Sequence, residues 1–325
     1  MKKNNSNLNL KLFFLILLIF EFSCKNQKPV KYPPEIQIVP SPKEIIKNRE
    51  NVALKLKDNI SIFISGHDSQ KFFDLLTNDL KIIFSQNLNF KRSDNMDSEI
   101  SFNIDKSLRA EEYKIEIDKN VAVTGGSYNA ITMAKSTLIQ MFKLKDNKTL
   151  ILPKSKIFDK PDSSYRGLMI DLSRMWHSLK SIHNVIDLAS FYKIKYLQLH
   201  LSDDQAFVFS SDSFPNLPTP DRPYTKKDFV ELVEYAKIRG VTIVPEIDVP
   251  GHSRQFIETY PKIFDVNNGV KKSNVINIAN ENVYKALDQI IAEVAEVFYN
   301  SPFIHMGADE AKLDLYENVK EVKSF

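Results

Sequence analysis

The sequence predicts an α/β protein in which a small α+β domain precedes a parallel sheet covered by helices. Three observations carry this prediction. The length of 325 residues suits two ordinary domains of roughly 100–200 residues each. Short stretches of alternating polar and apolar residues occupy the first half, which is typical of half-buried strands. In the second half, near-continuous apolar stretches alternate with amphipathic ones, which is typical of parallel strands and their covering helices.

The composition is that of a globular protein with a sizeable core. Hydrophobic residues make up 43% of the chain and charged residues 26%. The net charge of +3 is the small difference between 44 basic and 41 acidic side chains, and no basic block stands out. We therefore expect no nucleic-acid partner. A single cysteine excludes disulfide bonds within the fold.

Residues 1–24 have the pattern of an export signal. Lys2 and Lys3 begin a basic segment, and an apolar run follows at residues 12–20. This run is shorter than the roughly 20 apolar residues of a membrane-spanning helix. Cys24 comes just after it, in a position that resembles the lipobox of bacterial lipoproteins, and the alternative is a free thiol. We expect export and a lipid anchor on Cys24 at the bacterial cell envelope.

Residues 25–34 are rich in Lys, Asn and Pro and are predicted to form a flexible tether. Residues 35–156 then form the predicted α+β domain. No group of residues in this domain has catalytic spacing. Its predicted elements are strands at 60–64, 100–104 and 113–117, and helices at 69–84 and 128–142.

Residues 162–325 form the second domain, after a Pro-rich boundary at 154–164. Four strands are predicted, each an apolar run that precedes a helix or a polar loop. Gly240 is placed to end one of the helices. The predicted strands lie at 167–170, 196–201, 241–247 and 303–306, and the predicted helices at 181–192, 226–238 and 281–298.

Ionisable residues follow all four of these strands. The carboxyl ends of parallel strands carry the active sites of (β/α)-barrels, and the doubly wound α/β fold follows the same rule. This placement therefore predicts a functional site without choosing between the two folds. The residues are Asp171 and Arg174 after the first strand, His200, Asp203 and Asp204 after the second, Glu246, Asp248 and His252 after the third, and His305, Asp309 and Glu310 after the fourth.

Four segments at these strand ends resemble the motifs of family 20 glycoside hydrolases, the β-N-acetylhexosaminidases. They are residues 165–171 (YRGLMID), 200–205 (HLSDDQ), 245–252 (PEIDVPGH) and 303–310 (FIHMGADE). The resemblance covers residues 35–312 and implies a (β/α)8 TIM-barrel catalytic domain after a small α+β domain. Only 18 residues follow Gly307. A complete barrel takes roughly 250 residues. We therefore expect about the first four β/α units only.

The resemblance also implies a reaction and its residues. The expected activity is exo-hydrolysis of terminal β-linked N-acetylglucosamine or N-acetylgalactosamine from oligosaccharides or glycoconjugates. The expected mechanism is retaining, with the substrate's own acetamido group as the nucleophile. Glu310 would be the acid and then the base, and Asp309 would orient the acetamido group. His252, paired with Asp248, would lie beside the acid.

The remaining roles implied by the resemblance concern sugar binding and support. Arg166 would grip the sugar hydroxyls, and Asp203 would support the site. No metal and no cofactor are implied. The side chains expected to orient these groups without touching the substrate are Asp171, Asp204, His200, Glu246 and His305.

Two other functions stay open at this point. A chain that ends within the barrel lacks the tyrosine and the tryptophans with which the family's second half walls the sugar pocket, and Trp176 is the only tryptophan. The chain could then be a truncated lipoprotein that binds glycans without catalysis. A metal-dependent hydrolase using His200, Asp203 and His252 is the third hypothesis, although no His-Glu-x-x-His motif is present.

Overall fold

The computed structural model describes residues 37–324 apart from 56–58, 67, 86–87, 147–148, 223, 267–272 and 318. The predicted signal segment, the tether and Cys24 lie outside the described residues. Residues Ile38–Phe325 form one compact unit. Among the described residues, no helix combines the length and the apolar character that crossing a membrane requires.

The first domain is built on an eight-stranded mixed sheet. Its strand order is β1-β8-β5-β6-β4-β2-β3, and β7 pairs with β8. The pairs that β2 makes with β3 and β4 are parallel, as is the pair β4–β6, whereas β1, β5, β7 and β8 pair antiparallel. The strands are β1 (Glu44–Lys55), β2 (Ile60–Ile64), β3 (Phe90–Ser93), β4 (Ile100–Ile104), β5 (Tyr113–Ile117), β6 (Val121–Gly125), β7 (Lys143–Asp146) and β8 (Thr149–Asp159).

Two helices of this domain follow the apolar periodicity of the sequence. Helix α1 (Ser69–Phe84) buries a stripe that includes Phe72 and Leu76. Helix α2 (Tyr128–Met141) is buried on nearly every side, and the Ser127 side chain caps it by accepting a hydrogen bond from the Ala130 N–H. Strands β2, β4 and β5 and helix α1 have the predicted bounds, so those predictions are confirmed.

The second domain holds a three-stranded parallel sheet with the order β11-β10-β9. The strands are β9 (Gly167–Asp171), β10 (Tyr196–His200) and β11 (Thr242–Glu246). Their helices are α3 (Leu179–Phe191), α4 (Lys226–Ile238), α5 (Arg254–Thr259), α6 (Pro261–Phe264) and α7 (Glu281–Val297), followed by a 3₁₀ turn (Leu313–Tyr316) and α8 (Lys320–Ser324).

The three long helices of the second domain, α3, α4 and α7, begin at residues whose side chains cap them, namely Ser178, Thr225 and Asn280. Thr225 and Asp228 form a reciprocal capping box at the start of α4. Gly240 follows the last turn of α4 with a φ of 72°, a left-handed conformation that glycine adopts at little cost, so its predicted role is confirmed. The inner faces of α3, α4 and α7 pack on the sheet around a core of aromatic and aliphatic side chains. Strand β9 lies at the sheet edge, and Leu168 and Met169 are exposed there.

Several predicted elements differ from the structure by one or two residues at an end, and two predicted boundaries differ in ways that affect the architecture. The fourth strand is reduced to a single parallel bridge between Glu246 and His305, because the backbone turns left-handed at Gly307 and Ala308. Strand β8 continues to Asp159, past the predicted end of the first domain at residue 156. Pro153 has no N–H to donate within the sheet. It lies between the residues of β8 that pair with β7 and those that pair with β5, so the strand continues through it.

A buried polar cluster joins the first domain to the amino ends of the parallel strands. The Lys193 ammonium, in the turn before β10, donates to the Tyr113 hydroxyl (2.8 Å) and to Asp159 Oδ2 (3.0 Å). The Tyr113 hydroxyl in turn donates to Asp159 Oδ2 at 2.6 Å. All three side chains are buried, so the charge of Lys193 is balanced inside the domain interface.

Candidate functional site

The parallel register brings three ionisable side chains side by side at the carboxyl end of the sheet. His200, the last residue of β10, pairs with Asp171 on β9 and with Glu246 on β11. The loops that leave these strands carry Asp203 and His252. The predicted strand-end residues of the three strands therefore meet at one edge of the sheet.

Asp203 is the centre of this edge, and its side chain is only 1% exposed. Its Oδ2 atom lies 3.0 Å from His200 Nε2, 2.5 Å from an Arg174 guanidinium nitrogen and 3.5 Å from His252 Nδ1. Burial alone would raise the pKa of Asp203, but hydrogen bonds from His200 and from the Asp204 N–H hold that pKa below its ordinary value. Asp203 is therefore an ionised carboxylate that three basic side chains surround.

His200 lies between two carboxylates. Its Nδ1 atom is 3.2 Å from Glu246 Oε2, on the side opposite Asp203. Burial disfavours the charged ring, yet the hydrogen bonds to Asp203 and Glu246 outweigh burial and raise the pKa of His200 to about 10. The Gln198 amide donates to Glu246 Oε2 at 2.6 Å, which fixes the second carboxylate. His305 Nδ1 lies 3.3 Å from the other oxygen of Glu246.

Glu310 and His252 are in contact at the open side of this edge. His252 Nε2 lies 3.4 Å from Glu310 Oε2, and the Glu310 side chain is 74% exposed. Both residues have left-handed backbones, with φ of 49° at His252 and 52° at Glu310. Non-glycine residues in this conformation cost of order 1–3 kcal/mol each and cluster at functional sites. A chain of contacts thus runs from Asp203 through His252 to a solvent-exposed carboxylate.

Asp248 does not have the predicted position as the partner of His252. Its Oδ1 atom accepts a hydrogen bond from the Ala308 N–H at 3.1 Å, and its own N–H donates to the Ser202 hydroxyl at 2.8 Å. Burial raises the pKa of Asp248 to about 6, against the effect of the Ala308 hydrogen bond. The carboxylate that faces His252 Nδ1 is Asp203, so the predicted pairing is corrected. Asp248 instead anchors the loop that carries Asp309 and Glu310.

Asp204 and Asp309 lie on either side of this arrangement. Asp204 accepts from the Arg254 backbone N–H (3.3 Å) and from the Asn274 amide (3.1 Å), so it ties two loops together. Asp309 precedes Glu310 in the same exposed loop. The predicted site residues Asp203, His200, Glu246, His252, Asp248, His305, Asp309 and Glu310 are therefore brought together, with Asp204 at the border.

Arg166 is the predicted site residue that the structure places elsewhere. It precedes β9, at the amino end of the strand, and its guanidinium bonds Glu111 Oε1 of the first domain at 2.8 Å. It also donates to the carbonyls of Ser163 and Lys193. Five residues of extended strand separate it from the carboxyl end, so Arg166 is an interface residue and its predicted sugar contact is corrected.

Arg174 is the arginine that lies at the site. Its guanidinium contacts Asp171 (3.1 Å) and Asp203 (2.5 Å), and half of its side chain is exposed. Sequence reasoning placed Arg174 after the first strand but gave it no role. Its position three residues beyond the carboxyl end of β9 was the signal that could have identified it.

A metal centre is not what this geometry favours. Three groups of side chains hold potential ligand atoms within 4.8 Å, namely Asp171-His200-Asp203, His200-Glu246-Asp248 and Asp203-Asp204-His252. Both ring nitrogens of His200 face carboxylates, so its ring directs no lone pair at a cation in the first two groups. In the third group, Asp203 is already held by Arg174.

Comparisons with known proteins agree with the motifs at this site. The family model of the glycosyl hydrolase family 20 catalytic domain matches residues 164–325, and the model of domain 2 of the same family matches residues 35–160. A beta-hexosaminidase of Vibrio furnissii is 27% identical over 93% of this chain and 53% of its own length. A chitooligosaccharidolytic beta-N-acetylglucosaminidase of Bombyx mori is 30% identical over 70% of the chain and 41% of its own length.

Solved structures show the same architecture. The exo beta-N-acetylglucosaminidase of Vibrio harveyi, in complex with N-acetylglucosamine, has a TM-score of 0.80 at 24% identity over 89% of this chain and 49% of its own. The beta-N-acetylhexosaminidase of Bacteroides fragilis has a TM-score of 0.74 at 26% identity over 85% and 58%. The chain spans about half the length of these relatives. Its second domain has the TIM-barrel type of fold, and the chain belongs to glycoside hydrolase family 20.

Proposed function

We propose that this chain carries the catalytic acid centre of an exo-acting β-N-acetylhexosaminidase. The substrates would be glycans that end in β-linked N-acetylglucosamine or N-acetylgalactosamine. The observation that carries the proposal is the contact between His252 Nε2 and the exposed Glu310 carboxylate, backed by the buried Asp203. Family membership and the beta-hexosaminidase relatives support the same activity.

Glycosidic cleavage needs an acid for the leaving oxygen and a group that stabilises the positive sugar carbon. The Glu310 side chain is largely exposed, so a leaving group can reach it, and His252 Nε2 lies 3.4 Å from one of its oxygens. In the proposed first step, the acetamido carbonyl oxygen of the substrate attacks C1 as the C1–O bond breaks, and the Glu310 proton passes to the leaving oxygen. In the second step, water attacks C1 of the oxazolinium intermediate as the bond between C1 and the acetamido oxygen breaks, and a proton passes from the water to Glu310. The two inversions at C1 together retain the anomeric configuration.

Asp309 and Arg174 are the candidates for holding the sugar. Asp309 lies in the same exposed loop as Glu310, which suits a carboxylate that accepts the acetamido N–H and stabilises positive charge. The half-exposed guanidinium of Arg174 lies beside Asp203 and has spare N–H donors. Such a planar set of donors matches neighbouring hydroxyls. Arg174 therefore replaces Arg166 in the proposed sugar contact.

Hydrolysis of a nitrophenyl N-acetylglucosaminide tests the proposal. Turnover by the purified chain that is abolished in Glu310→Gln would support it, and Glu317→Gln, in the following turn, is a matched control that should retain turnover. Saccharide binding without turnover would favour the non-catalytic glycan-binding role instead. Turnover that depends on added divalent cations and is lost with chelators would contradict the proposed mechanism.

We further propose that the chain is exported and anchored through a lipid on Cys24. The basic and apolar segments before Cys24 support this proposal. Labelling bacteria that express the chain with radioactive palmitate should mark the protein, and Cys24→Ser should remove the label. Label that persists in the Cys24→Ser variant would contradict the anchor.

A further inference from the structure

Both ring nitrogens of His200 face a carboxylate oxygen. Nε2 lies 3.0 Å from Asp203 Oδ2, and Nδ1 lies 3.2 Å from Glu246 Oε2. A neutral imidazole has a single N–H, so one of its nitrogens would direct a lone pair at a carboxylate. Only the imidazolium form donates to both neighbours. The arrangement is buried, with 6% of the His200 side chain exposed, so water does not screen a mismatched lone pair.

The charges around His200 favour the same form. Asp171 from β9, Glu246 from β11, and Asp203 and Asp248 from the loops surround the ring with carboxyl groups. The nearby basic side chains, whose positive charge would disfavour a charged His200, are those of Arg174, His252 and His305. Arg174 contacts Asp171 and Asp203. A permanent cation at position 200 therefore offsets an excess of negative charge in a buried space.

We propose that Glu246 is a positioning residue for the acid: with Asp203 it holds His200 as an imidazolium whose two N–H groups are both bonded, and this fixed cation keeps Asp203 ionised and directed at His252. Glu246 lies behind His200 and acts only through it. The inference rests on the proposed function in assigning Glu310 the role of acid.

The consequence concerns the proton shared by His252 and Glu310. His200 and Arg174 both contact Asp203 Oδ2 and lie closer to it than His252 does, so the affinity of Asp203 for a further proton is low. His252 can then donate Nδ1–H toward Asp203 without losing that proton to it. Proton exchange is thereby confined to the Nε2 side of His252, which faces Glu310.

The protonation state of His200 can be measured directly. Two-bond ¹H–¹⁵N correlation spectra distinguish an imidazolium from either neutral tautomer, and the chain has only 6 histidines, which single His→Gln variants can assign. We expect the His200 ring to remain an imidazolium throughout the neutral range. In Glu246→Gln, the removal of one carboxylate within 4 Å should lower the pKa of His200 by about 1–3 units.

Glu293→Gln is the matched control. Glu293 on α7 is also a clamped carboxylate, bonded by the backbone N–H groups of Asp212 and Ser213 at 2.8 Å, but it does not contact His200. This control should leave the His200 spectrum unchanged, and Glu246→Asp should restore part of the imidazolium signal. A neutral His200 in the unmodified chain, or an unchanged His200 titration in Glu246→Gln, would overturn the inference.

A kinetic measurement separates this inference from the proposed function. If the unmodified chain hydrolyses the nitrophenyl substrate, Glu246→Gln should lower kcat by about 10-fold or more and leave KM little changed. The pH dependence of kcat should also be displaced. Such a profile is not expected from a loss of fold alone. A chain without turnover would contradict the proposed function, while the spectra of His200 would still confirm or overturn the role of Glu246. Failure of Glu246→Gln to fold leaves the titration of His200 in the unmodified chain as the deciding result.

Discussion

A Cβ atom at Gly307 would lie 2.0 Å from Oδ1 of Asp248. The same carboxylate oxygen accepts the Ala308 N–H, and Gly307 has a φ of 62°. Glycine is required here for two independent reasons, since a side chain would both clash with a buried carboxylate and strain the backbone. The loop that carries Asp309 and Glu310 therefore depends on a residue without a side chain.

Gly307→Ala should destabilise the fold and displace this loop. The left-handed backbone alone costs about 1–3 kcal/mol, and the clash with Asp248 adds to it. Urea unfolding followed by circular dichroism measures the change. Ala308→Gly is the control, because Ala308 has a φ of 69° and glycine relieves that conformation. Equal stability of Gly307→Ala and the unmodified chain would contradict the close approach.

The two arginines should respond differently to substitution. Arg166→Gln removes the interface pair with Glu111, so it should lower the melting temperature and leave the proposed affinity for N-acetylglucosamine unchanged. Arg174→Gln should weaken this affinity by about 10- to 100-fold, as expected for hydrogen bonds from a charged group. Isothermal titration calorimetry and thermal unfolding distinguish the two effects. A loss of affinity in Arg166→Gln alone would reverse the assignment.

The His200 cluster should make stability depend on pH in the alkaline range. The pKa of His200 rises from an ordinary value of 6.5 to about 10 in the fold, so the folded state binds this proton more tightly. Its stabilising contribution, at most about 5 kcal/mol for a rise of about 3.5 pKa units, is complete below the unfolded pKa and is lost as pH rises through the folded one.

Urea unfolding of the unmodified chain and of His200→Gln at about pH 6, 8 and 10 measures that contribution. The difference in unfolding free energy between the two proteins should shrink steadily toward the alkaline end. A difference that is the same at all three values would contradict a charged His200 in the folded protein.

Lys135 on α2 is a buried ammonium that forms an ion pair with Asp79 on α1, and its side chain is 3% exposed. Burial lowers the pKa of Lys135, against the attraction of Asp79. Asp79→Asn should therefore cost about 3–5 kcal/mol of unfolding free energy, because it leaves a buried charge without its partner. Replacing Asp79 with Leu and Lys135 with Met in the same chain removes both charges. This double variant should recover most of the lost unfolding free energy, as measured by urea unfolding.

Asp74→Asn is the control on the same helix, since the Asp74 carboxylate is exposed and bonds only Gln70 among the described contacts. An exposed substitution of this kind should stay within about 0.5 kcal/mol of the unmodified chain. If Asp79→Asn were as mild as Asp74→Asn, the burial of the Lys135 charge would be contradicted.

The regular elements were the most predictable from the sequence, because alternation and helical periodicity are local. Strands β2, β4 and β5 and helices α1 and α4 have the predicted bounds. Strands β1, β3, β6, β7 and β8 were not predicted. Strand β8 was missed because Pro153 and the charged residues around it are typical of a boundary, and only its neighbours on the sheet reveal it as a strand.

The residues that form the site were predictable from the sequence, whereas the contacts between their side chains were not. Strand-end position identified Asp203, His252 and Glu310. Asp248 is closer to His252 in sequence, but the turn between them directs the Asp248 carboxylate to the Ala308 N–H. Asp203 instead reaches His252 Nδ1 across 49 residues. Such partners follow from the spatial arrangement of loops, which no periodicity in the sequence encodes.

The buried cluster of Lys193, Tyr113 and Asp159 affects how the chain can be divided. Tyr113 and Asp159 belong to strands β5 and β8 of the first domain, whereas Lys193 belongs to the second. A catalytic segment excised at its family boundary would expose this ammonium and its apolar surroundings to water. The barrel segment should therefore be recovered in soluble form only together with the first domain, because Lys193 otherwise loses both of its buried partners.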